Sequence, residues 1–235
     1  MINGKRVGAV IPAAGRGSRM GGGTSKQFLE LAGSPILLHT LRRFERAAIV
    51  DVIVVAAAPD LVPLVTSLVQ KGGLKKVVRT VEGGEQRQDS VWNALRVLEE
   101  YQVDIVAVHD GVRPFVSEKQ VVDVIRTAAE ERAALLAVRA KETVKIVDDR
   151  QVVRSTPDRD TVWTAQTPQV FDMHLLVDAY EKAIAAQICG TDEAGLVERI
   201  GGKVAVVEGS YDNIKITTPE DLELAKIIAY RWNFD

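Results

Sequence analysis

The stretch from residue 12 to residue 26, PAAGRGSRMGGGTSK, combines many glycines with cationic side chains and contains no acidic residue. Glycines let backbone N–H groups approach a ligand closely, and such groups form concave sites for anions. Arg19 and Lys26 add full positive charges to this backbone. The stretch therefore predicts a loop that binds a polyphosphate, and a nucleoside triphosphate is the expected ligand.

Two better-known phosphate loops do not fit this stretch. A Walker A loop places its lysine between glycine and serine or threonine, whereas Lys26 lies between Ser25 and Gln27. A dinucleotide fingerprint needs glycine or alanine where this sequence has Met20, and no acidic residue ends the second predicted strand to hold a ribose. These departures argue against an NAD-dependent dehydrogenase. From the loop alone, a glycine-rich surface loop without a ligand remains the alternative.

Composition and charge indicate the class of protein. The 235 residues are 46% hydrophobic and 26% charged, which is typical of a globular chain with one large core. Thirty basic residues against 32 acidic ones give a net charge of −2, so we expect no nucleic acid or membrane partner. Cys189 is the only cysteine, which excludes internal disulfides and favours a reducing compartment. The first apolar run stops at Pro12, too short for a signal peptide or a membrane span, so we expect a cytoplasmic protein.

The elements that position the loop follow from an alternation of β-branched runs and segments of helical period. The predicted buried strands are 7–13, 51–58, 75–83, 104–110 and 134–140. The predicted helices are 35–48, 61–70, 86–100, 118–131, 173–187 and 219–231. Ser34 and Thr218 are the expected N-caps of the first and last helices. We therefore expect an α/β fold with a mainly parallel sheet, helices on both faces, and the loop at the carboxyl ends of the strands.

Residues 142–171 break this alternation. Two short predicted strands flank the polar turn DDR, an extended segment follows, and no predicted helix covers them. A projecting β-arm of this kind leaves unpaired edges and exposed apolar side chains, which a second subunit commonly covers. A dimer contact and a hairpin folded against its own domain both remain open from the pattern alone.

Seven segments carry a resemblance to a known family, in order along almost the whole chain. They are PAAGRGSRM, SKQF, GGEQRQDSV, HDGVRPF, QTPQVF, GTDEAGLVE and NIKITTPEDLELA. With them the sequence resembles the 2-C-methyl-D-erythritol 4-phosphate cytidylyltransferases of the non-mevalonate isoprenoid pathway. The resemblance implies one Rossmann-like nucleotidyltransferase domain over residues 1–235, a homodimer through a β-arm at about 142–171, CTP as donor, and Mg²⁺. The chain departs from the family pattern at Ser25, where proline is usual, at Val112, where alanine is usual, and in extra loop glycines.

The resemblance also implies the reaction, in which a substrate phosphate attacks the α-phosphorus of CTP and pyrophosphate leaves. A phosphate monoester has a second pKa of about 6, so this nucleophile is mostly dianionic at neutral pH and needs no general base. We therefore expect positioning and charge stabilisation to carry catalysis. His109, which ends a predicted strand, is interpreted as structural rather than as a base.

Site residues are carried over from the family pattern by position. Those assigned to catalysis are Arg19, Lys26, Arg159 and Lys215. Those assigned to the nucleotide are Ala13, Ala14, Gly15, Gly17, Gly84 and Ser90. Those assigned to the acceptor are Asp110, Gly111, Arg113, Thr143, Arg159, Thr191 and Lys215.

Two carboxylates and one arginine have further expected roles. Asp110 would help to hold Mg²⁺ among phosphate oxygens, with a cap on the following turn as its alternative. Asp212 is a candidate second metal ligand, and a role in a turn is equally compatible with its position. Arg159 lies in the arm, so the family pattern places it in the site of the neighbouring subunit.

Three other functions are alternatives to the erythritol phosphate cytidylyltransferase that the resemblance implies. A ribitol 5-phosphate cytidylyltransferase would share the loop and much of the arm, but PAAGRG and TDEAGLVE favour the erythritol substrate. A non-catalytic nucleotide-binding module is disfavoured by the intact set Arg19, Lys26, Asp110 and Lys215. An NAD-dependent dehydrogenase is disfavoured by Met20 and by the missing acidic residue after the second predicted strand.

Overall fold

The fold is seen in a computed structural model that describes residues 1–2, 4–15 and 25–234. The strands are β1 (Val7–Ala13), β2 (Glu30–Leu31), β3 (Ser34–Pro35), β4 (Val52–Ala57), β5 (Val77–Glu82), β6 (Ile105–Val108), β7 (Ala133–Arg139), β8 (Ile146–Val147), β9 (Val153–Ser155), β10 (Trp163–Asp172) and β11 (Ala205–Glu208). The helices are α1 (Ile36–Arg46), α2 (Val62–Lys71), α3 (Arg87–Glu100), α4 (Glu118–Glu131), α5 (Met173–Ala185), α6 (Glu193–Arg199) and α7 (Pro219–Arg231).

The described residues form a seven-stranded central sheet in the order β11-β7-β10-β6-β1-β4-β5. Strand β1 pairs in parallel with β4 and β6, and β4 with β5 and β11 with β7 are parallel as well. Only β10 runs antiparallel to its neighbours in this sheet. The mainly parallel sheet is therefore confirmed, and β1, β4, β5, β6 and β7 are the five predicted strands with small shifts at their ends.

Helices cover both faces of this sheet, as predicted. Along β1, Ile11 packs in a hydrophobic cluster with residues of α1, α2 and α4. Its neighbour Val10 packs in the opposite cluster with residues of α3, α5 and α6. Because successive side chains of a strand point to opposite faces, this alternation places β1 at the centre of a three-layer fold. No helix in the described ranges is long and apolar enough to cross a membrane.

Local signals placed most helix ends correctly. The Thr218 side chain accepts a hydrogen bond from the Asp221 backbone N–H and caps α7, with Pro219 as its first residue. The predicted Ser34 cap is wrong: Ser34 pairs with Leu31 in the β2–β3 hairpin, and Pro35 precedes α1 without a side-chain cap. The short helix α6 and the edge strand β11 were not predicted.

The range 142–171 divides into two parts. Strands β8 and β9 flank the DDR turn, as predicted, and pair with each other, and their side chains are exposed. Strand β10, in contrast, lies inside the central sheet between β6 and β7, so the expectation that this second part projects is wrong. Val170 contributes to the α4 side of the core and Phe171 to the α5 side, so helices cover both faces of β10.

Candidate active site

The carboxyl ends of four parallel strands surround a cavity of about 700 Å³. Its lining comes from the end of β1, the segments that follow β1, β4, β5 and β6, and the start of α3. The end of the glycine-rich stretch and the segment before α7 complete it. The lining residues that carry predicted roles are Ala13, Ala14, Gly15, Lys26, Gly84, Ser90, Asp110 and Lys215. The cavity lies where open α/β sheets bind ligands and has the volume of a small-molecule site.

A buried glutamine anchors the segment that carries Lys26. Lys26 begins a short 3-10 helix, and Gln27 beside it is 1% exposed. The Gln27 Nε2 donates a hydrogen bond of 2.7 Å to the carbonyl of Ala13 at the end of β1. This bond holds the backbone of Lys26 close to the strand end. The predicted residues Gly17 and Arg19 lie outside the described residues.

The segment after β5 approaches the segment after β1 very closely. A Cβ atom added to Gly83 would lie 2.4 Å from the Cβ of Ala14, so a residue with a side chain does not fit there. The Gly84 N–H donates to the Ser90 hydroxyl at 3.2 Å, and this hydroxyl donates to the Gln86 carbonyl at 3.1 Å. The close approach brings the backbone of β1 and the start of α3 together on one wall of the cavity.

Three cationic side chains surround the Asp110 carboxylate in the cavity. The Arg87 Nε lies 3.0 Å from Asp110 Oδ1, and the Lys215 Nζ lies 2.9 Å from Oδ2. The Arg113 Nε is 3.5 Å from Oδ2. Burial alone would raise the pKa of Asp110, but the three cationic groups outweigh it and hold that pKa well below its usual range. Asp110 is therefore a carboxylate at any physiological pH.

His109 holds the segment that carries Asp110 and Arg113 in place through hydrogen bonds. Its Nε2–H donates to the Arg113 carbonyl at 2.9 Å, because a carbonyl only accepts, and its Nδ1 accepts from the Thr167 hydroxyl at 3.0 Å. The Thr167 oxygen in turn accepts from the Asp110 backbone N–H at 3.1 Å. Burial lowers the pKa of His109 to about 4, so the ring is neutral at neutral pH. With 0% of the residue exposed, the geometry supports a structural role.

The alternation of Lys215 with Ile214 and Ile216 predicts a short strand on which the lysine side chain faces opposite to the two isoleucines. This predicted strand is wrong, because Lys215 reaches the cavity from an irregular segment. The segment is fastened by the Ile216 N–H, which donates to the Val112 carbonyl at 3.0 Å. Ile216 is fully buried in the cluster beneath α7, while the Lys215 side chain faces Asp110. The expected opposition of the two side chains therefore holds without a strand.

The remaining residues predicted to bind the acceptor fall into two groups. Gly111 and Arg113 adjoin Asp110: the Gly111 N–H donates to the Pro12 carbonyl at 3.2 Å, and the Arg113 Nη1 donates to the Asn213 carbonyl at 2.7 Å. The other group is exposed and does not line the cavity of its own chain. Its members are Thr143, Arg159 and Thr191.

Asp212 is engaged elsewhere. Its carboxylate accepts hydrogen bonds from the Arg231 Nη2 at 2.8 Å and from the Trp232 Nε1 at 3.1 Å, at the end of α7. It does not line the cavity, so the geometry favours the structural alternative for this residue. Within the described ranges, no three His, Cys, Asp or Glu side chains are grouped as a metal site.

Arg87 is a cavity residue that the sequence reasoning missed. It lies in GGEQRQDSV, from which only Gly84 and Ser90 were assigned a role. One signal was available, because a cation at the first position of a helix opposes the helix dipole and calls for anionic partners. The structure provides two such partners, Asp110 and Glu193.

Comparison with known proteins decides the family. The sequence profile of 2-C-methyl-D-erythritol 4-phosphate cytidylyltransferases matches residues 7–231. The chain belongs to the 2-C-methyl-D-erythritol 4-phosphate cytidylyltransferase family. The match spans β1 through α7, and thus every element that lines the cavity.

Individual members of this family are similar over nearly their full length. The Geobacter metallireducens cytidylyltransferase is 48% identical over 225 residues, which cover 94% of this chain and 96% of the relative. The Halalkalibacterium halodurans cytidylyltransferase is 45% identical, with 93% and 95% covered. The crystal structure of 4-diphosphocytidyl-2C-methyl-D-erythritol synthase from Anaerococcus prevotii has a TM-score of 0.87, 36% identity and 98% coverage of both chains. The Thermus thermophilus cytidylyltransferase structure has a TM-score of 0.77 and 34% identity, covering 96% of this chain and 99% of its own.

One departure from the family pattern has a simple structural reading. Ser25, where the resemblance leads one to expect proline, has a φ of −62°. Proline fixes φ near about −65°, so serine here adopts the angle that proline would impose. Its carbonyl accepts from the Phe28 N–H at 2.9 Å and starts the 3-10 turn of Lys26.

Proposed function

We infer that the protein is the cytidylyltransferase that joins CTP and 2-C-methyl-D-erythritol 4-phosphate to give 4-diphosphocytidyl-2-C-methyl-D-erythritol and pyrophosphate, in the non-mevalonate isoprenoid pathway. One observation carries this conclusion: the cavity gathers Lys26, Asp110 and Lys215 at the strand ends, in a chain that matches this family over residues 7–231. The ribitol 5-phosphate alternative has no such support from the comparisons.

The nucleotide is proposed to lie between the segments that follow β1 and β5. The base would bind the backbone of Ala13, Ala14 and Gly84 and the Ser90 hydroxyl, which favour cytosine over uracil by hydrogen-bond matching. The triphosphate would lie along the glycine-rich stretch, with Gly15 and Gly17 in the loop and Arg19 and Lys26 on the phosphates. The presence of Lys26 in the cavity lining supports this placement of the triphosphate.

The acceptor phosphate is proposed to bind beside Lys215 and Arg113. One of its oxygens forms the new bond to the α-phosphorus of CTP while the bond from that phosphorus to the β-phosphate bridging oxygen breaks, and pyrophosphate carries the electron pair away. Lys215 offsets the repulsion between the two anions in a cleft where charges interact more strongly than in water. No protein base is required, which agrees with a buried, neutral His109.

The Asp110 carboxylate is suited to hold Mg²⁺ together with phosphate oxygens. Mg²⁺ commonly takes only one or two protein carboxylates and completes its shell with phosphates and water. A carboxylate offers about four lone-pair sites, and its contacts to Arg87, Arg113 and Lys215 occupy no more than three of them. Bound Mg²⁺ would supply charge neutralisation on the phosphates. Asp212, held by α7, is not needed for this arrangement.

A turnover assay tests the proposed function. The protein is incubated with Mg²⁺, each nucleoside triphosphate in turn, and a panel of polyol phosphates that includes ribitol 5-phosphate, and pyrophosphate release is measured. We expect release with CTP and 2-C-methyl-D-erythritol 4-phosphate. Equal or faster release with ribitol 5-phosphate would move the assignment to that substrate, and no release with any pair would favour a binding module.

The protein is further proposed to be a cytoplasmic homodimer that exchanges its β8–β9 arm. The arm exposes Ile146, Val147, Val152 and Val153, and within the described residues β8 and β9 pair as a separate two-stranded sheet. Isolated two-stranded hairpins are marginally stable in water, so a second copy is a suitable cover. Thr143 and Arg159 lie at the two ends of this arm and would then act in the partner's site.

Mixing of two impaired variants tests the exchanged arm. Arg159 is exposed, so the Arg159→Ala variant is expected to fold. This substitution should raise the KM for the acceptor more than the KM for CTP. Mixed with Lys26→Ala subunits under conditions of subunit exchange, the Arg159→Ala variant should regain activity, because a heterodimer contains one site with both residues intact. The recovered specific activity is measured against each variant alone.

Two outcomes would contradict the exchanged arm. Absence of any recovery, with heterodimers shown to form, would place Arg159 in the site of its own chain. A fully active monomer, found by sedimentation at micromolar concentration, would refute the proposed homodimer.

A further inference from the structure

Arg87 connects three elements that are distant in sequence. It is the first residue of α3, and its Nε contacts Asp110 Oδ1 after β6, while its Nη1 contacts Glu193 Oε1 at 2.7 Å at the start of α6. The residues of the second pair are 106 positions apart along the chain. Arg87 thus ties the nucleotide side of the cavity to Asp110 and to the segment that follows Thr191.

Burial makes this connection specific. The Glu193 side chain is 1% exposed, and its Oε1 also accepts from the Tyr180 hydroxyl at 3.0 Å, whereas its Oε2 has no hydrogen-bond partner among the described residues. Arginine presents its donors in a rigid planar fork, so one guanidinium satisfies two carboxylates at a fixed mutual angle. Removal of that fork would leave two buried carboxylates without a shared cation, which buried sites tolerate poorly.

The helix gains little from Arg87 at this position. A cation in the first turn of a helix opposes the positive end of its dipole, and Asp89 in the same turn is the favourable charge there. Neighbouring Gln88 extends the link, because its Nε2 donates to the Ile188 carbonyl at 3.1 Å and its Oε1 accepts from the Gly190 N–H at 2.8 Å. The first turn of α3 therefore holds Asp110 and the segment from Ile188 to Glu193 in addition to starting the helix.

We propose that Arg87 is a positioning residue for the transfer reaction. Its guanidinium fixes the Asp110 carboxylate so that Oδ2 faces Lys215, and Glu193 holds that guanidinium in place. Each oxygen of Asp110 has its own principal cation, Oδ1 with Arg87 and Oδ2 with Lys215. Without the Arg87 contact, the carboxylate is able to rotate about its terminal bond and Lys215 loses its fixed partner. The proposal rests on the proposed function, since the lysine is the group that meets the acceptor phosphate.

Arg87→Lys is the principal test, because it keeps the charge and removes the fork. We expect kcat to fall on the order of 10²-fold, the effect of a displacement of about 1 Å in a reacting group. CTP affinity, measured by direct titration, is expected to change less than about threefold, since Gly84 and Ser90 are untouched. Glu193→Gln should give the same pattern more weakly, because the guanidinium then loses one charged anchor.

A double variant separates positioning from a general loss of structure. If Arg87 acts through Asp110 on Lys215, Arg87→Lys should slow the Lys215→Ala enzyme by no more than about threefold, since coupled residues are not additive. Tyr180→Phe is the matched control: it removes the other bond to Glu193 Oε1 and should lower the unfolding temperature without changing kcat.

The outcomes distinguish this inference from the proposed function. A wild-type enzyme without CTP-dependent turnover contradicts the proposed function. An active wild type with normal kcat in both Arg87→Lys and Glu193→Gln overturns the positioning role, as does full additivity with Lys215→Ala. If Arg87→Lys does not fold, Glu193→Gln alone and combined with Lys215→Ala decides the question by the same criteria.

Discussion

Replacement of Lys26 by alanine is expected to lower kcat on the order of 10²-fold or more. Removal of one preorganised group that stabilises charge in a transition state has effects of about this size. Lys26 lines the cavity, and the buried Gln27 fastens its segment to the end of β1, so a defined backbone positions its ammonium group for the proposed phosphate contact. In the proposed reaction, this cation would stabilise the negative charge that passes to the leaving pyrophosphate.

Steady-state kinetics with saturating CTP and acceptor measure this effect. Lys182→Ala is a suitable control, since Lys182 is an exposed residue of α5 that pairs with Asp178 away from the cavity. Arg19→Ala should show a loss of similar size if the glycine-rich stretch acts as one phosphate site. Wild-type kcat in both Lys26→Ala and Arg19→Ala would refute charge stabilisation by this loop.

Replacement of Lys215 by alanine should reduce kcat/KM for the acceptor on the order of 10²-fold, with kcat and acceptor binding impaired together. In the proposed reaction two anions have to approach each other here, and Lys215 would both bind the acceptor phosphate and direct its oxygen to phosphorus. The fold should survive the change, because the Lys215 side chain is 39% exposed and Asp110 keeps its contacts to Arg87 and Arg113. CTP affinity is expected to fall little.

Direct titration of CTP onto the Lys215→Ala variant decides whether Lys215 binds the nucleotide or the acceptor. A loss of CTP affinity as large as the loss in kcat/KM for the acceptor would assign Lys215 to the nucleotide. Thermal unfolding of the same sample shows whether the variant has kept its fold, so that a structural defect is not mistaken for a binding defect.

Selectivity between the erythritol and ribitol phosphates is expected to depend in part on residues of the β8–β9 arm. Thr143 and Arg159 are predicted to bind the acceptor, yet both are exposed in this chain. If a second subunit brings them to the acceptor, part of the substrate selectivity lies in residues that a single chain cannot position. The specificity of the reaction would then depend on the assembly as well as on the cavity.

Features that depend on neighbouring residues could be predicted from the sequence. Strands β1 and β4 are continuous apolar runs because helices cover both their faces, and this composition is visible without a structure. The Thr218 cap and Pro219 define the start of α7 by local hydrogen bonding. The position of the glycine-rich stretch at a strand end followed from the same local order, and with it the place of the cavity.

Strand β10 shows where local patterns were insufficient. Gln166, Thr167 and Gln169 give it a polar sequence, although all three are buried and hydrogen-bonded within the protein. A polar residue in the core is stable only when distant groups satisfy it, and those groups are not adjacent in the sequence. The insertion of β10 between β6 and β7 was therefore decided by tertiary pairing.

The same reason separates the residues assigned correctly to the cavity from those that needed the structure. Lys26, Asp110 and Gly84 follow strand ends, so the order of elements alone brings them to one edge of the sheet. The Arg87 pair with Glu193 and the engagement of Asp212 by α7 join positions far apart along the chain. Such contacts depend on how helices pack across the sheet, and hydrophobic period and spacing carry no information about that arrangement; only the tertiary structure decided them.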